Sequence, residues 1–493
     1  MERIETTIAW SAFCLLAAVV LVAPWCFGAW EAWWFWPFVT VIFAASALFG
    51  FQLLLRATQE ETHPVSGRRP STRAGSRRRR SGAPPSGRQK WRLACLLSCG
   101  AFLAYAMLRM LSAPVFTDAQ RSLLLFLTPF LLGIQVVYGM NSQRRLLLFR
   151  ILLLNLLLLG LYGILNHIAC GSRWVVWRPG YAQYFMGHRA SGSYFCPDHY
   201  AGLMEITLCM ALAVLCGRGS TLRWRIASLL VAAVAVAGVV MSKSRGGGMA
   251  TLLILAAAWL WGLREYRPRV RWALRGTALA CTIIGLLAVS MSGSAYVKRF
   301  GSWFRWEQAK TQPFAAALHT VSQAVHSSSR WIMLSGAMEA WTSSPLTGIG
   351  PGMHQNIWPH VATSDDGDRA QGIWPTRLNN RNYSYEVHND WAQLLEEYGL
   401  IGLVLAAAVM GILSRTLLLA ISRNNDTRES EESSPTASDA LPIVLSAWLA
   451  LIAMAFHSLG DFNLQIPATT WLFAVIVAAG VGNATRRGGV ASR

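Results

Sequence analysis

The stretch His388-Asn389-Asp390-Trp391-Ala392-Gln393-Leu394-Leu395-Glu396-Glu397-Tyr398-Gly399-Leu400-Ile401-Gly402 decides how this chain is read. From Gly399 the sequence stays apolar to about 420, enough for a helix that crosses a bilayer. Just ahead of that run stands His388, followed by Asp390, Glu396 and Glu397. The pattern places an acid/base group at the mouth of a membrane helix.

Working outward, apolar runs of similar length recur. They fall at about 7–27, 35–55, 93–112, 121–140, 146–166, 200–217, 226–242, 247–263, 274–292, 399–420, 441–459 and 467–484. Of the 493 residues 54% are hydrophobic and 14% charged, against roughly 25% charged in soluble domains. Mean hydropathy is +0.36. In hydrocarbon every backbone polar group needs an internal partner, which leaves helices or closed barrels. The runs are of helical length, so the chain is expected to be an all-α polytopic membrane protein of about twelve transmembrane helices. Many of the 22 tryptophans lie at run ends, such as Trp30, Trp33, Trp34 and Trp36, as in an interfacial belt.

The net charge of +20 does not point to nucleic acid. The basic residues lie in alternate gaps between apolar runs, which is the positive-inside pattern. Arg144, Arg145 and Arg150 mark one such gap, and Arg218, Arg223 and Arg225 the next. Both termini are then cytoplasmic, and the first run reads as an uncleaved helix. The organisation expected is two helices in 1–55 and a basic cytoplasmic loop at 56–92. Helices three to nine occupy 93–292, with an external loop at 167–199. A large external (periplasmic) segment with its own helices spans 293–398, between the ninth and tenth membrane helices. Helices ten to twelve lie in 399–484, before a tail at 485–493. The loop at 56–92 is rich in Arg, Pro, Gly and Ser and is expected to be disordered, with anionic lipid head groups as its partner. Within 293–398, the segments 314–325 and 330–341 show helical spacing of apolar residues. No internal repeat is visible.

Nine cysteines show no paired metal-type spacing. Cys170 and Cys196 share one external loop, where a disulfide is compatible with their compartment, though spacing says nothing of the Cα distance.

The external side collects the residues that could carry chemistry. Arg245 sits in Ser242-Lys243-Ser244-Arg245-Gly246-Gly247-Gly248, on the face that positive-inside statistics disfavour. Ser244 can cap a helix there, and the glycines leave N–H groups bare for an anion such as phosphate. Alternatively the glycines let helices pack closely while the arginine snorkels. Arg189 and Arg330 are further external arginines, each with an acid, Asp198 or Glu339, that could pair with it. Three arginines on one face, with few acids near two of them, favour a diphosphate ligand. His388 is a candidate general base that Glu386 or Asp390 could orient; the plainer reading is a structural histidine at a helix start. His188, His199, His354, His360 and His457 rank below it. Asp365-Asp366-Gly367-Asp368 reads as a solvated loop rather than a metal site. Asn155, Glu205 and Asp461 are noticeable polar groups in apolar surroundings. Glu205 either pairs with an external arginine or lines a cavity.

These motifs resemble the O-antigen ligase and polymerase family of bacterial inner-membrane glycosyltransferases. His388-Asn389, nine residues, then Gly399-Leu400-Ile401-Gly402 fits the family's histidine pattern. Ser244-Arg245-Gly246-Gly247 fits its Ser-Arg-Gly-Gly element, and Arg330 through Pro345-Leu346-Thr347-Gly348-Ile349-Gly350 fits its arginine-led loop helix. Arg189, Gly192 and Phe195 fit an earlier Arg–Gly–Phe element, and 457–468 looks like a segment of polysaccharide-polymerase-like members. Cys196-Pro197-Asp198-His199 departs from the family's usual Asn-Pro-Asn after the phenylalanine. The resemblance covers about 185–470. It implies a glycan donor on undecaprenyl diphosphate and an acceptor hydroxyl on another glycan, a lipid core or a protein. It also implies diphosphate binding by Arg189, Arg245 and Arg330, with His388 as base. Neither metal nor cofactor would be needed, and inversion at the anomeric carbon is expected. The alternative is a transporter of a small anion such as bicarbonate, which would need discontinuous helices and polar groups at mid-membrane.

Overall fold

The computed structural model describes residues 2–62, 87–172, 189–215, 221–264, 268–291, 298, 301–302, 305–326, 328–361, 384–426 and 440–485. Among these the regular structure is helical, without strands. The helices of the first half are α1 (Glu2–Val22), α2 (Ala32–Thr62), α3 (Gly87–Leu111), α4 (Phe116–Ile134), α5 (Ser142–Cys170), α6 (Pro197–Leu215), α7 (Leu222–Ser242), α8 (Arg245–Arg264) and α9 (Pro268–Met291). The segment expected to be external holds α10 (Phe314–His326), α11 (Ser329–Thr342) and α12 (His354–Val361). The chain then returns to the bundle as α13 (Asp390–Asp426), α14 (Ala440–His457) and α15 (Pro467–Ala484).

Ten of these helices, α1 to α7 and α13 to α15, are long and apolar enough to cross a membrane. The eighth and ninth expected spans are occupied by α8 and α9, whose apolar stretches are shorter, Arg245–Leu260 and Arg275–Leu287. Helix α6 is buried along its whole length and packs on α7, α8 and α14. A helix apolar on all sides belongs inside a bundle, which is why Glu205 on α6 ends up far from lipid. The peripheral helices instead turn large apolar side chains outward, such as Leu97 and Leu108 on α3 and Leu400 and Val404 on α13. In water such a surface would aggregate; in a bilayer it is the ordinary solvent-facing side. Asn155 is satisfied between helices. It accepts from Trp25 Nε1 at 3.0 Å and donates to the Leu21 carbonyl at 3.0 Å.

Helix α13 begins well ahead of its apolar run and is broken at Gly399, where φ is 66° and ψ −171°. A break strands backbone groups on both sides. The turn at 345–350 takes them up. Ile349 and Gly350 donate their N–H groups to the carbonyls of Glu396 and Glu397, at 2.9 and 3.0 Å. Leu400 and Ile401 donate to the carbonyls of Pro345 and Leu346, at 2.9 and 3.1 Å. The Pro-Leu-Thr-Gly-Ile-Gly motif is thus a backbone plug in the break. It locks the loop helix α11 to the first turns of α13 and so fixes the stretch that carries His388.

The expected helices at 314–325 and 330–341 are present as α10 and α11, the latter capped by Ser328, which accepts from Trp331 N at 3.3 Å. The segment 56–92, expected to be disordered, is helical at both ends, as α2 runs to Thr62 and α3 starts at Gly87; 63–86 lies outside the described residues. So do His188, Asp365, Asp366 and Asp368. Cys170 and Cys196 are both free thiols, so no disulfide joins them.

Candidate active site

The turn between α14 and α15 carries Asp461, which is fully buried, and two of the expected site residues, His388 and Arg330, gather on it. His388 brings its Nδ1 to 3.2 Å from Asp461 Oδ1. Arg330 Nη2 lies 3.7 Å from Asp461 Oδ2, and His199 Nε2 3.9 Å from Oδ1. Burial alone would raise the Asp461 carboxyl. The hydrogen bond from His388 and the charges of Arg330, His199 and His388 override it and hold the group well below the usual carboxylate range. Asp461 is therefore an anion, suited to orient His388 and to stabilise it when it takes a proton.

The start of α13 explains the rest of the His-Asn motif. Asn389 is its N-cap, accepting from Ala392 N at 3.0 Å, and donates to the Leu459 carbonyl at 3.0 Å. Asp390 N donates to the Ser458 carbonyl at 2.9 Å. Asp390 Oδ2 accepts from Ser458 Oγ at 2.7 Å and Leu464 N at 3.2 Å. His388 itself has φ of +57°, a left-handed conformation unusual for a side chain this size. Its ring meets Phe462 edge to face, with centroids 4.6 Å apart, and the His199 ring meets Phe462 in the same way at 4.5 Å.

The expected orienting carboxylates are not the ones used. Asp390 is spent on Ser458 and Leu464. Glu386 faces Gln393 instead. Burial and the neighbouring Glu397 push Glu386 up to about 8. Asp461 lies 73 positions from His388, and only the fold brings it there.

The arginines are less free of acids than their sequence surroundings suggested. Arg189 is buried, with Nε donating to the Ser242 carbonyl at 2.7 Å and Nη2 to Asp198 Oδ1 at 2.8 Å. Arg330 Nη2 stands 3.8 Å from Asp198 Oδ2. Asp198, rather than Glu339, therefore joins Arg189 to Arg330. The contacts of Arg330 with both carboxylates exceed hydrogen-bond length, and its side chain is 29% exposed, against 7% for Arg189. Arg330 is the member of the pair that still reaches solvent.

Arg245 opens α8, three residues past Ser242, whose carbonyl Arg189 holds. Ser244 caps this helix by accepting from Gly247 N at 3.1 Å. The following glycines make room for neighbouring side chains. A Cβ on Gly246 would come within 3.0 Å of the His457 ring, and one on Gly247 within 2.7 Å of the Ala201 Cβ and 3.2 Å of Glu205 Oε1. Close packing is therefore one reason for them. Glu205, on α6, faces His457 and not an external arginine; its Oε1 is 2.7 Å from His457 Nδ1. His457 Nε2 is in turn 3.9 Å from Asp461 Oδ2. His354 belongs elsewhere, between Glu396 at 2.8 Å and Ser384 at 3.0 Å.

An apolar cavity of about 310 Å³ adjoins this region, between α3, α4, α13 and α15. Asp390, Gln393 and Leu464 line one end of it, and Arg92 and Tyr138 also line it. Among the described residues, no three His, Cys, Asp or Glu side chains are placed to hold a metal ion.

Two comparisons with known proteins bear on this site. Residues 207–407 match the family model described as O-antigen ligase. That span includes Arg245, Arg330 and His388 and stops short of Arg189 and Asp461. No curated protein matches the chain.

Proposed function

We propose that this chain, whose residues 207–407 match the family model described as O-antigen ligase, is a membrane glycosyltransferase using an undecaprenyl-diphosphate-linked glycan as donor. The acceptor is a hydroxyl of another glycan, a lipid core or a similar molecule. The reaction takes place at the outer face of the bacterial inner membrane and serves the synthesis of surface polysaccharide or lipopolysaccharide. The observation that carries this reading is the convergence of His388 and Arg330 on Asp461.

With Nδ1 of His388 held by Asp461, Nε2 is the basic nitrogen. It takes the proton of the acceptor hydroxyl as that oxygen forms a bond to the anomeric carbon. The bond from this carbon to the diphosphate oxygen breaks, and the electron pair leaves with the diphosphate. Arg330 and Arg245 meet the growing negative charge, and Arg189 completes the cationic wall behind Asp198. Fixed cations can do the work that a divalent metal does in other transferases, so neither metal nor cofactor is required. Attack opposite the leaving group inverts the anomeric centre. The apolar cavity supports a lipid-linked donor, because it offers hydrocarbon surroundings beside a polar site. The transporter alternative has less support. The one break in α13 is closed by the backbone of 345–350 rather than left to line an ion path.

The test is a purified-enzyme assay with a labelled undecaprenyl-diphosphate oligosaccharide, without nucleotide or added metal, alone and with candidate acceptors. Transfer or lengthening of the glycan is expected, with a loss of at least about 10²-fold in His388→Ala. No donor consumption with any acceptor, or a parental rate in His388→Ala, would overturn the proposal.

A further inference from the structure

Behind Asp461, on the side away from His388, lies a pair that the proposed reaction does not use. Glu205 and His457 are both fully buried, with Oε1 and Nδ1 2.7 Å apart. The other nitrogen of His457 points to Asp461 Oδ2 at 3.9 Å. The four side chains therefore follow one another in a series of contacts, Glu205 to His457 at 2.7 Å, His457 to Asp461 at 3.9 Å and Asp461 to His388 at 3.2 Å. Buried charge is costly unless paired, so a carboxylate and an imidazole kept together on helices of an apolar bundle need a reason. The packing around them is specific. Gly246 and Gly247, directly after Arg245, leave the space that His457 and Glu205 fill.

We propose that Glu205 and His457 are positioning residues for His388: a buried carboxylate–imidazolium pair whose positive end weakens the hold of Asp461 on the proton of the base. The proposal rests on the reading of His388 as the base. Its physics is Coulombic. A cation beside Asp461 competes with the His388 imidazolium for the same carboxylate. Glu205 keeps that cation in place, because an imidazolium in an apolar interior loses its proton without a counter-charge. The other groups that face the pair and Asp461 are Cys196 just ahead of α6, Asp198 and His199 on α6, Arg330 on α11 and Asp390 at the start of α13, with Cys209 one turn beyond Glu205. None of them lies as close to Glu205 or His457 as these two lie to each other.

The test reads His388 directly and does not depend on turnover. His388 is 29% exposed, so its modification by diethyl pyrocarbonate can be followed by mass spectrometry across a pH series in the full-length protein. The pH midpoint of this reaction is expected to move up by about one unit in His457→Gln and in Glu205→Gln. Glu205→Asp is expected to keep most of the parental value. In an Asp461→Asn background the Glu205→Gln shift should vanish, since the coupling passes through Asp461. Thermal unfolding of each variant in detergent shows that it is folded, and a variant that is not is replaced by His457→Asn. An unchanged or lowered midpoint in folded Glu205→Gln would overturn the inference. Glycan transfer by the same samples separates the two ideas. A shift in midpoint with no transfer by the parent would sink the function and leave the coupling standing; transfer by the parent with no shift would do the reverse.

Discussion

At the scale of single residues, the site is built on two carboxylates more than on its cations. Asp198 and Asp461 are buried, and each touches more than one positive or titratable group. An arginine near lipid needs a counter-charge when no substrate is present. On the proposed function, diphosphate binding would be an exchange of anions at Arg330, whose contacts are long enough to be given up, while the shorter bonds of Arg189 keep Asp198 in place. Asp461→Asn keeps the shape of the side chain and removes the charge that steadies protonated His388. Its kcat is expected to fall by about 10²-fold or more with little change in KM for the donor. Steady-state kinetics would check this, and a parental kcat would show that Asp461 does not serve the base.

At the scale of elements, the break in α13 and its plug set where His388 stands. Gly399 has a positive φ, and a Cβ there would strike the Leu346 carbonyl; Gly348, on the plug, is equally confined by the Glu397 backbone. Gly399→Ala is expected to destabilise by about 1–3 kcal/mol through the strained backbone alone, with more from the lost plug bonds. Gly411, on the same helix, has open space at its Cβ position, so Gly411→Ala is expected to be neutral or mildly stabilising. Comparing the two unfolding temperatures separates the plug from ordinary helix propensity. Equal effects would mean that the turn at 345–350 does not brace α13.

At the scale of the whole molecule, buried α6 and α14 form an inner layer, and α3, α4, α13 and α15 enclose an apolar cavity beside the site. Ala474 lines that cavity. Ala474→Trp would fill part of it, and if a prenyl chain lies there the KM for the long-chain donor is expected to rise about tenfold, a loss of the order of 1.4 kcal/mol. A donor with a shortened chain should be affected less. The same KM for both donors in variant and parent would place the lipid chain elsewhere.

The sequence by itself determined the membrane class, the helical architecture and most of the helix positions. Apolar length and period are local properties, and a bilayer leaves few other structures for such runs. It also singled out His388, Arg245, Arg330 and Arg189 as residues of interest. It did not determine their partners. Asp461 is 73 positions from His388 and 131 from Arg330, and Glu205 is 252 from His457. No local spacing encodes such distances; only the packing of α6 against α14 and the return of α13 to the bundle bring the groups together. The glycines after Arg245 read in the sequence either as an anion cradle or as a close-packing site, and only the fold shows that His457 and Glu205 fill the space they leave. The break at Gly399 was equally hidden, because a run of apolar residues reads as continuous helix whether or not a distant turn supplies its missing hydrogen bonds. Tertiary structure decided these points because burial forces every charge and every backbone group to find a partner, wherever in the chain that partner lies.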